Sequence, residues 1–178
     1  GCEPGDAHAG LVADFFSDEL GADKHGEQLA SEILVLGRRT YDSVYGAWPR
    51  REGAFADKIN AMPKYVASRT LSSLEWEGAT LLESPVEGSV AELKRQDGGP
   101  ILVAGSRSLV HALLEAGLVD ELNLQVFPLL LGRGKHLYPD PPPTTAPELV
   151  SSTAFANGVL VPAYNAPGAG TAPAAPAP

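Results

Sequence analysis

The sequence has a single cysteine, Cys2, among its 178 residues. One cysteine cannot form an intrachain disulfide, and it cannot supply the ligands of a cysteine-rich zinc site. Histidine is also sparse, and the histidines are scattered without ligand spacing: His8, His25, His111 and His136. We therefore expect no metal centre, and the low cysteine content favours the reducing cytoplasm.

Positive charge is scarce as well. The chain has 13 Lys and Arg against 22 Asp and Glu, a formal net charge of −9 at pH 7. This balance argues against a nucleic-acid binder that depends on many phosphate contacts. No apolar run approaches the roughly 18 residues of a membrane-spanning helix. The sequence therefore predicts neither a nucleic-acid nor a membrane partner, whereas a few local arginines are enough to bind a small anionic ligand.

Familiar catalytic motifs are missing. No GxGxxG follows a predicted strand, so a Rossmann fingerprint is unsupported. No GxSxG is present to indicate a hydrolase nucleophile elbow. The basic, glycine-rich segment 132–136 (GRGKH) resembles a phosphate-binding loop, but Leu129 occupies the position of that loop's first glycine. We interpret this segment as a turn with exposed charges.

Short aliphatic runs alternate with amphipathic helical patterns along most of the chain. Strands are predicted at 33–36, 64–67, 80–82, 101–104, 122–126, 128–131, 149–152 and 159–163. Helical spacing of apolar residues covers 23–31, 40–45, 86–96 and 106–116. This alternation is typical of a mostly parallel sheet with helices on both faces. The Asn157-Gly158 pair predicts an antiparallel hairpin near the C-terminus.

The end of the chain, residues 165–178, reads NAPGAGTAPAAPAP. A segment of Ala, Pro and Gly without periodicity has nothing large to bury, so we predict a disordered tail. The preceding residues, 1–164, contain neither an internal repeat nor a linker. They are therefore predicted to form a single α/β domain.

Three predicted strands end where an arginine follows a glycine or a hydroxyl residue. The residues of these three corners are Gly37, Arg38, Arg39 and Thr40, then Ser68 and Arg69, then Gly105, Ser106 and Arg107. In a parallel sheet, ligands bind beyond the carboxyl ends of the strands. Helices that start there offer free N–H groups and a positive dipole end. Three such corners together predict a site for the phosphates of a dinucleotide.

Three segments of the sequence resemble the dihydrofolate reductase-like family. ILVLGRRTYDSV (33–44) is similar to its core motif, and KYVASRT (64–70) is similar to its second cofactor segment. The segment 101–140 closely resembles the subgroup related to the reductase (RibD C-terminal) domain of bacterial riboflavin biosynthesis. The resemblance covers about residues 10–164. It implies a three-layer αβα fold with a mixed, mostly parallel sheet, binding of NADPH, and a homodimer.

The resemblance also implies roles for the three corners. The first corner, 37–40, would form a phosphate turn, and Ser68 and Arg69 would lie by the adenosine 2′-phosphate. The third corner, 105–107, would approach the pyrophosphate. An arginine on the 2′-phosphate would explain a preference for NADPH over NADH. Family members typically have two glycines at the third turn, whereas this chain has Ala104 before Gly105. We expect the methyl group of Ala104 to limit how closely the pyrophosphate can approach the backbone.

The start of the chain departs from the family pattern. Family members begin with a central strand that ends near a Leu-Asp-Gly motif and contacts the nicotinamide. The sequence given starts at Gly1 without an initiating methionine. We expect that it lacks this first strand, which would leave a slot in the sheet and an incomplete hydride site. The alternative is that another segment fills that place.

The implied reaction is hydride transfer from NADPH to a C=N or C=O bond of a small heterocyclic or sugar-derived substrate. A proton must follow the hydride, and the candidate donors are Asp14, Asp18, Glu19 and Asp23. We select Asp18, although acidic residues near a helix start also stabilise the helix dipole. The alternative function is a catalytically inactive, cofactor-binding or structural descendant of the fold.

Overall fold

A computed structural model describes residues 10–132, 134–138 and 146–166. The helices are α1 (Asp18–Ala30), α2 (Arg38–Tyr45), α3 (Ala54–Ala61), α4 (Val86–Arg95) and α5 (Arg107–Glu115). The strands are β1 (Ile33–Gly37), β2 (Lys64–Ala67), β3 (Ala79–Leu81), β4 (Ile101–Val103), β5 (Glu121–Asn123), β6 (Glu148–Ala154) and β7 (Leu160–Asn165). Within the described residues, every helix is too short or too polar to cross a bilayer.

The strands form two sheets. The first is entirely parallel, in the order β3-β2-β1-β4, and the second is antiparallel, in the order β5-β7-β6. The predicted α/β class, with its mostly parallel sheet and C-terminal antiparallel hairpin, is confirmed. In the described part of the chain no ladder joins the two sheets, so β4 and β5 are both edge strands. The absence of a first strand stays a prediction, since residues 1–9 lie outside the described ranges.

Each face of the parallel sheet carries an apolar core. One core joins the sheet to α2 and α3, and its buried members are Leu34, Leu36, Tyr41, Ile59, Met62, Val66 and Trp76. The other joins the sheet to α4 and α5, and its buried members are Val35, Val90, Leu93, Leu109 and Leu113. Successive residues of a strand face opposite sides. The run of aliphatic residues in β1 therefore serves both cores, which gives three αβα layers.

Two predicted elements differ in the structure. The helix predicted over 23–31 begins at Asp18, because the Oγ of Ser17 accepts the N–H of Leu20 at 3.2 Å and caps it. The strand predicted over 128–131 is wrong. Proline has no N–H for a ladder, and the N–H of Leu129 bonds to the carbonyl of Phe127 at 2.7 Å in a tight turn.

The strand predicted over 122–126 is shorter than expected. It ends as β5 at Asn123, and pairing resumes only at an isolated bridge between Val126 and Leu160. The interruption lies opposite Pro162 of β7, whose missing N–H removes one ladder bond. A single proline on the partner strand therefore divides the predicted strand.

The C-terminal hairpin forms at the predicted Asn157-Gly158 pair, where Gly158 has a φ of +83°. Strand β7 then continues to Asn165, and the N–H of Ala166 bonds to the carbonyl of Asp120 at 2.7 Å. Asn165, which the sequence analysis assigns to the tail, thus belongs to β7. The rest of the predicted tail, residues 167–178, lies outside the described ranges.

Lys64 is a fully buried charged residue at the start of β2. Its Nζ donates to the carbonyl oxygens of Asn60 and Met62, each at 2.7 Å, and of Glu77 at 3.2 Å. The same ammonium lies 4.7 Å from the ring centroid of Trp76. Burial lowers the pKa of Lys64 from 10.5 to about 8. Lys64 therefore ties the end of α3 to the connection between β2 and β3.

We expect Lys64→Met to lower the free energy of unfolding near neutral pH by about 2–3 kcal/mol, because three buried carbonyl groups lose their donor. The effect should also depend on pH. Between the folded pKa of about 8 and the unfolded value of 10.5, the unfolded state binds more protons. Wild-type stability relative to the variant therefore rises with pH in this window, by about 3 kcal/mol. Urea denaturation at several pH values measures this difference.

The matched control is Lys58→Met, which removes a half-buried lysine of α3, the helix whose end Lys64 contacts. It should change stability little and should leave the pH dependence as in the wild type. Parallel pH profiles for wild type and Lys64→Met would contradict the lowered pKa.

Candidate functional site

The carboxyl ends of β2, β1 and β4 lie side by side, because these strands are parallel neighbours. The register pairs Gly37 with Ala67 on one side of β1 and Val35 with Val103 on the other. The three predicted corners follow these strand ends directly. We call residues 37–40, 68–70 and 105–107 together the carboxyl rim. The structure brings the predicted corners to one edge of the sheet.

The first and third corners are joined by the hydroxyl of Ser106. The N–H of Gly37 donates to Ser106 Oγ at 2.7 Å, and Ser106 Oγ lies 2.8 Å from Thr40 Oγ1. A Cβ on Gly37 would lie 3.0 Å from Ser106 Oγ and 3.1 Å from Ser106 Cβ, which leaves little room for a side chain at residue 37. The starts of α2 and α5 are therefore held together by one serine.

The backbone at the third corner is left-handed. Gly105 and Ser106 both have a φ of +60°, a conformation that costs a non-glycine residue roughly 1–2 kcal/mol. Ser106 is the cap residue of α5, but its side chain makes no capping hydrogen bond. Its hydroxyl reaches the first corner instead.

The first and second corners are joined by Arg38. Its Nη1 donates to Thr70 Oγ1 at 3.0 Å, and its Nε donates to Asp42 Oδ2 at 3.1 Å. Ser68 Oγ accepts the N–H groups of Thr70 and Leu71, at 3.2 and 3.0 Å. The loop after β2 is therefore fixed both internally and to the start of α2.

Arg39 and Arg69 are exposed at the rim. Arg107, in contrast, is fixed to another segment, since its Nε donates to the carbonyl of His136 at 2.6 Å. Next to it, His111 Nε2 lies 2.5 Å from the carbonyl oxygen of Leu137. Arg107 thus anchors the segment 134–138 to α5.

The predicted proton donor, Asp18, is an exposed residue in the first turn of α1. Helix α1 packs against α3. No hydrogen bond connects Asp18 with the described residues of the rim. The same residues contain no group of three or more His, Cys, Asp or Glu side chains that could hold a metal ion.

The sequence segment that contains the first two corners is rich in basic residues. Residues 38–70 contain seven basic and three acidic residues, a formal net charge of +4, whereas the rest of the chain carries −13. The chain as a whole is acidic, so this segment stands out as its cationic part. Of these basic residues, Arg38, Arg39 and Arg69 lie at the rim and are exposed, where they attract anions.

Comparison with known proteins assigns this geometry to a family. The model of the RibD C-terminal domain matches residues 7–161. The chain belongs to the RibD C-terminal domain family. It is 29% identical over 140 residues to the uncharacterized protein YyaP of Bacillus subtilis strain 168, covering 75% of this chain and 73% of YyaP. A second relative in that organism, the uncharacterized protein YwjB, is 29% identical over 107 residues, covering 60% of this chain and 58% of YwjB.

Solved structures share the fold of this family member. A putative riboflavin biosynthesis protein from Shewanella sp. PV-4 superposes with a TM-score of 0.63 at 20% identity, covering 92% of this chain and 82% of that one. A pyrimidine reductase-like protein from Corynebacterium diphtheriae gives 0.61 at 15% identity, covering 84% and 82%. A deaminase/reductase from Thermotoga maritima gives 0.57 at 14% identity, covering 84% of this chain and 49% of that one.

An aromatic cluster that the sequence did not indicate positions the second corner. The hydroxyl of Tyr41 accepts the N–H groups of Glu75 and Trp76, at 3.0 and 3.2 Å. The ring of Tyr41 stacks on Tyr45 with centroids 5.6 Å apart. Helix α2 is thereby attached to the connection between β2 and β3. Tyr41 is buried, so its ring packs in the core.

A second aromatic group links the start of the described chain to the antiparallel sheet. The ring of Phe127 lies 6.1 Å from the rings of both Phe15 and Phe16. Asn157 Nδ2 donates to the carbonyl of Phe15 at 2.5 Å. The segment before α1 therefore packs on the C-terminal hairpin. The residues in contact are more than 100 positions apart in the sequence, so local sequence patterns do not predict this contact.

Proposed function

We propose that this protein is an NADPH-dependent reductase that transfers hydride to a C=N or C=O bond of a small heterocyclic or sugar-derived substrate. The observation that carries the proposal is the convergence of three corners on one rim, with Ser106 and Arg38 as bridges. Membership of the RibD C-terminal domain family supports it. The name of the Thermotoga maritima protein includes a uracil reductase activity.

The residues at the rim fit the phosphates of the coenzyme. The first N–H groups of α2 and α5 have no partner within their helices, and each helix presents its positive end there. We propose that Gly37, Thr40 and Gly105 surround the pyrophosphate. The absence of a Cβ at Gly37 and Gly105 leaves room for the hydroxyls of Ser106 and Thr40 between the two helix starts.

We assign the 2′-phosphate to the second corner. Arg69 is exposed beside Ser68, and the guanidinium of Arg38 reaches the same loop through Thr70. Two guanidinium groups suit a phosphate that NADH lacks, because each offers several donors in a planar arrangement. We therefore expect a preference for NADPH.

The chemistry needs a hydride and a proton. NADPH, when bound, supplies the hydride. The chain itself must hold the coenzyme and the substrate, exclude water and deliver a proton. We propose Asp18, an exposed carboxylate in the first turn of α1, as the proton donor.

We expect NADPH to raise the melting temperature more than NADH does at equal concentration. Arg69→Ala should remove most of this difference and weaken NADPH binding by about 10- to 100-fold, because a charge-assisted contact is lost. Thermal unfolding with each coenzyme measures both effects. Arg95→Ala, which removes an exposed arginine at the far end of α4, is the matched control. Equal stabilisation by NADPH and NADH would overturn the 2′-phosphate assignment.

The reaction can be tested with a panel of pyrimidine, pterin and imine substrates, following NADPH oxidation. Asp18→Asn should lower kcat by about 10²–10⁴-fold and leave NADPH affinity unchanged, because the proton donor is lost. Glu19→Gln removes a carboxylate from the same helical turn and controls for the helix dipole. Equal effects of both variants would reduce Asp18 to a dipole-stabilising residue. NADPH binding without oxidation of any substrate would favour the inactive descendant.

We also propose that the protein is a homodimer joined through β6. This strand lies at the edge of its sheet, all seven of its residues are exposed, and Leu149 and Val150 are 55% and 54% exposed. Its one charged residue is Glu148, at its end. An unprotected, nearly neutral edge strand readily pairs with another. Antiparallel pairing with the same strand of a second copy would keep the two Glu148 carboxylates apart.

The dimer proposal predicts the mass of the protein in solution. Leu149→Lys should give a monomer by light scattering, since a charge on the edge opposes pairing. Leu130→Lys changes a fully exposed leucine outside β6 and should leave the dimer intact. A monomeric wild type at micromolar concentration would refute the dimer.

A further inference from the structure

We infer that Ser106 acts as a positioning residue. It holds the hydroxyl of Thr40 so that Thr40 donates a hydrogen bond to the pyrophosphate. The hydroxyl of Ser106 itself does not bind the ligand. This inference rests on the proposed function, and it changes the role that the resemblance implied for Ser106. It follows from how the hydrogen bonds between the first and third corners are distributed.

The hydroxyl of Ser106 is already used within the protein. A serine hydroxyl has one proton to donate and two lone pairs. One lone pair accepts the N–H of Gly37 at 2.7 Å. Two acceptors lie near its proton: Thr40 Oγ1 at 2.8 Å and the carbonyl of Ala104 at 3.4 Å. The shorter contact is the stronger one, so Ser106 donates to Thr40.

In this arrangement, the hydroxyl proton of Thr40 is left to donate a hydrogen bond to a ligand. Hydrogen bonds then run from the N–H of Gly37 to Ser106, and from Ser106 to Thr40. An anion beside Thr40 reinforces this direction, because phosphate oxygens accept hydrogen bonds and the neighbouring hydroxyl must supply the proton. Hydrogen bonds in such a chain strengthen one another.

The local backbone is arranged to make this chain possible. Ser106 adopts a left-handed conformation that is unfavourable for serine, and its side chain does not cap its own helix. Gly37 lacks the Cβ that would lie 3.0 Å from Ser106 Oγ. Gly105 lacks the Cβ that would lie 3.6 Å from Thr40 Oγ1. The cost of this conformation is offset by the contact between the two corners.

NADPH titrations, followed by coenzyme fluorescence, test the inference on a double-mutant cycle. Thr40→Val should weaken NADPH binding by about 10- to 100-fold, the range for a hydrogen bond to a charged group. Ser106→Ala should weaken it by about 3- to 10-fold. The double variant should bind as poorly as Thr40→Val alone, because Ser106 acts through Thr40. Thr40→Ser keeps the hydroxyl and should restore most of the affinity.

Two further measurements separate positioning from a merely structural role. Adenosine 2′-monophosphate carries no pyrophosphate, so Ser106→Ala should leave its affinity unchanged. Ser106→Gly relieves the left-handed strain and should keep the melting temperature within a few degrees of wild type, while NADPH affinity still falls as in Ser106→Ala. Losses that add in the double variant, or unchanged NADPH affinity in Ser106→Ala, would overturn the inference.

A wild-type protein that binds neither NADPH nor NADH would refute the proposed function. The inference would then be decided with inorganic pyrophosphate on the same variants by calorimetry. The same non-additive loss would support the chain from Ser106 to Thr40 for another pyrophosphate ligand. Absence of pyrophosphate binding by the wild type would overturn the inference too.

Discussion

The parallel pairing of β1 with β2 and β4 is the constraint on which the rest of the structure depends. The central strand is buried on both faces, through Leu34 and Leu36 on one side and Val35 on the other. A shift of one residue in its register would exchange these faces. The same register brings three strand ends to one edge. Burial of these three aliphatic residues therefore positions the polar rim.

The sequence was a good guide where chemistry is local. Aliphatic runs predicted β1, β2 and β4, and the Asn157-Gly158 pair predicted the hairpin, because strand and turn preferences depend on neighbouring residues. The three corners followed from adjacent residues in the same way. The strand predicted at 128–131 was wrong. That prediction followed the aliphatic residues of the segment, whereas Pro128 has no N–H to donate to a neighbouring strand. The apolar spacing in α3 is too short to predict a helix. In the structure α3 starts after Gly53, whose φ is +109°.

Contacts between distant residues could not be predicted. Ser106 and Gly37 are 69 residues apart, and the sequence indicates only that Ser106 precedes a helix. Local preference favours a capping role for such a serine. The tertiary contact with Gly37 and Thr40 overrides that preference. Lys64 shows the same limit, since a lysine in a strand-like run gives no sign that three carbonyl groups surround it.

The close approach of Gly37 to Ser106 has a consequence for sequence divergence in the family. A Cβ at 37 would lie 3.0 Å from the hydroxyl at 106, so an alanine at 37 requires the residue at 106 to shift by a few tenths of an ångström. A relative with alanine at the first position is therefore best accommodated by glycine at the second, and then loses the bridge between the helices. Aligned relatives should therefore show these two positions changing as a pair, even where overall identity is low.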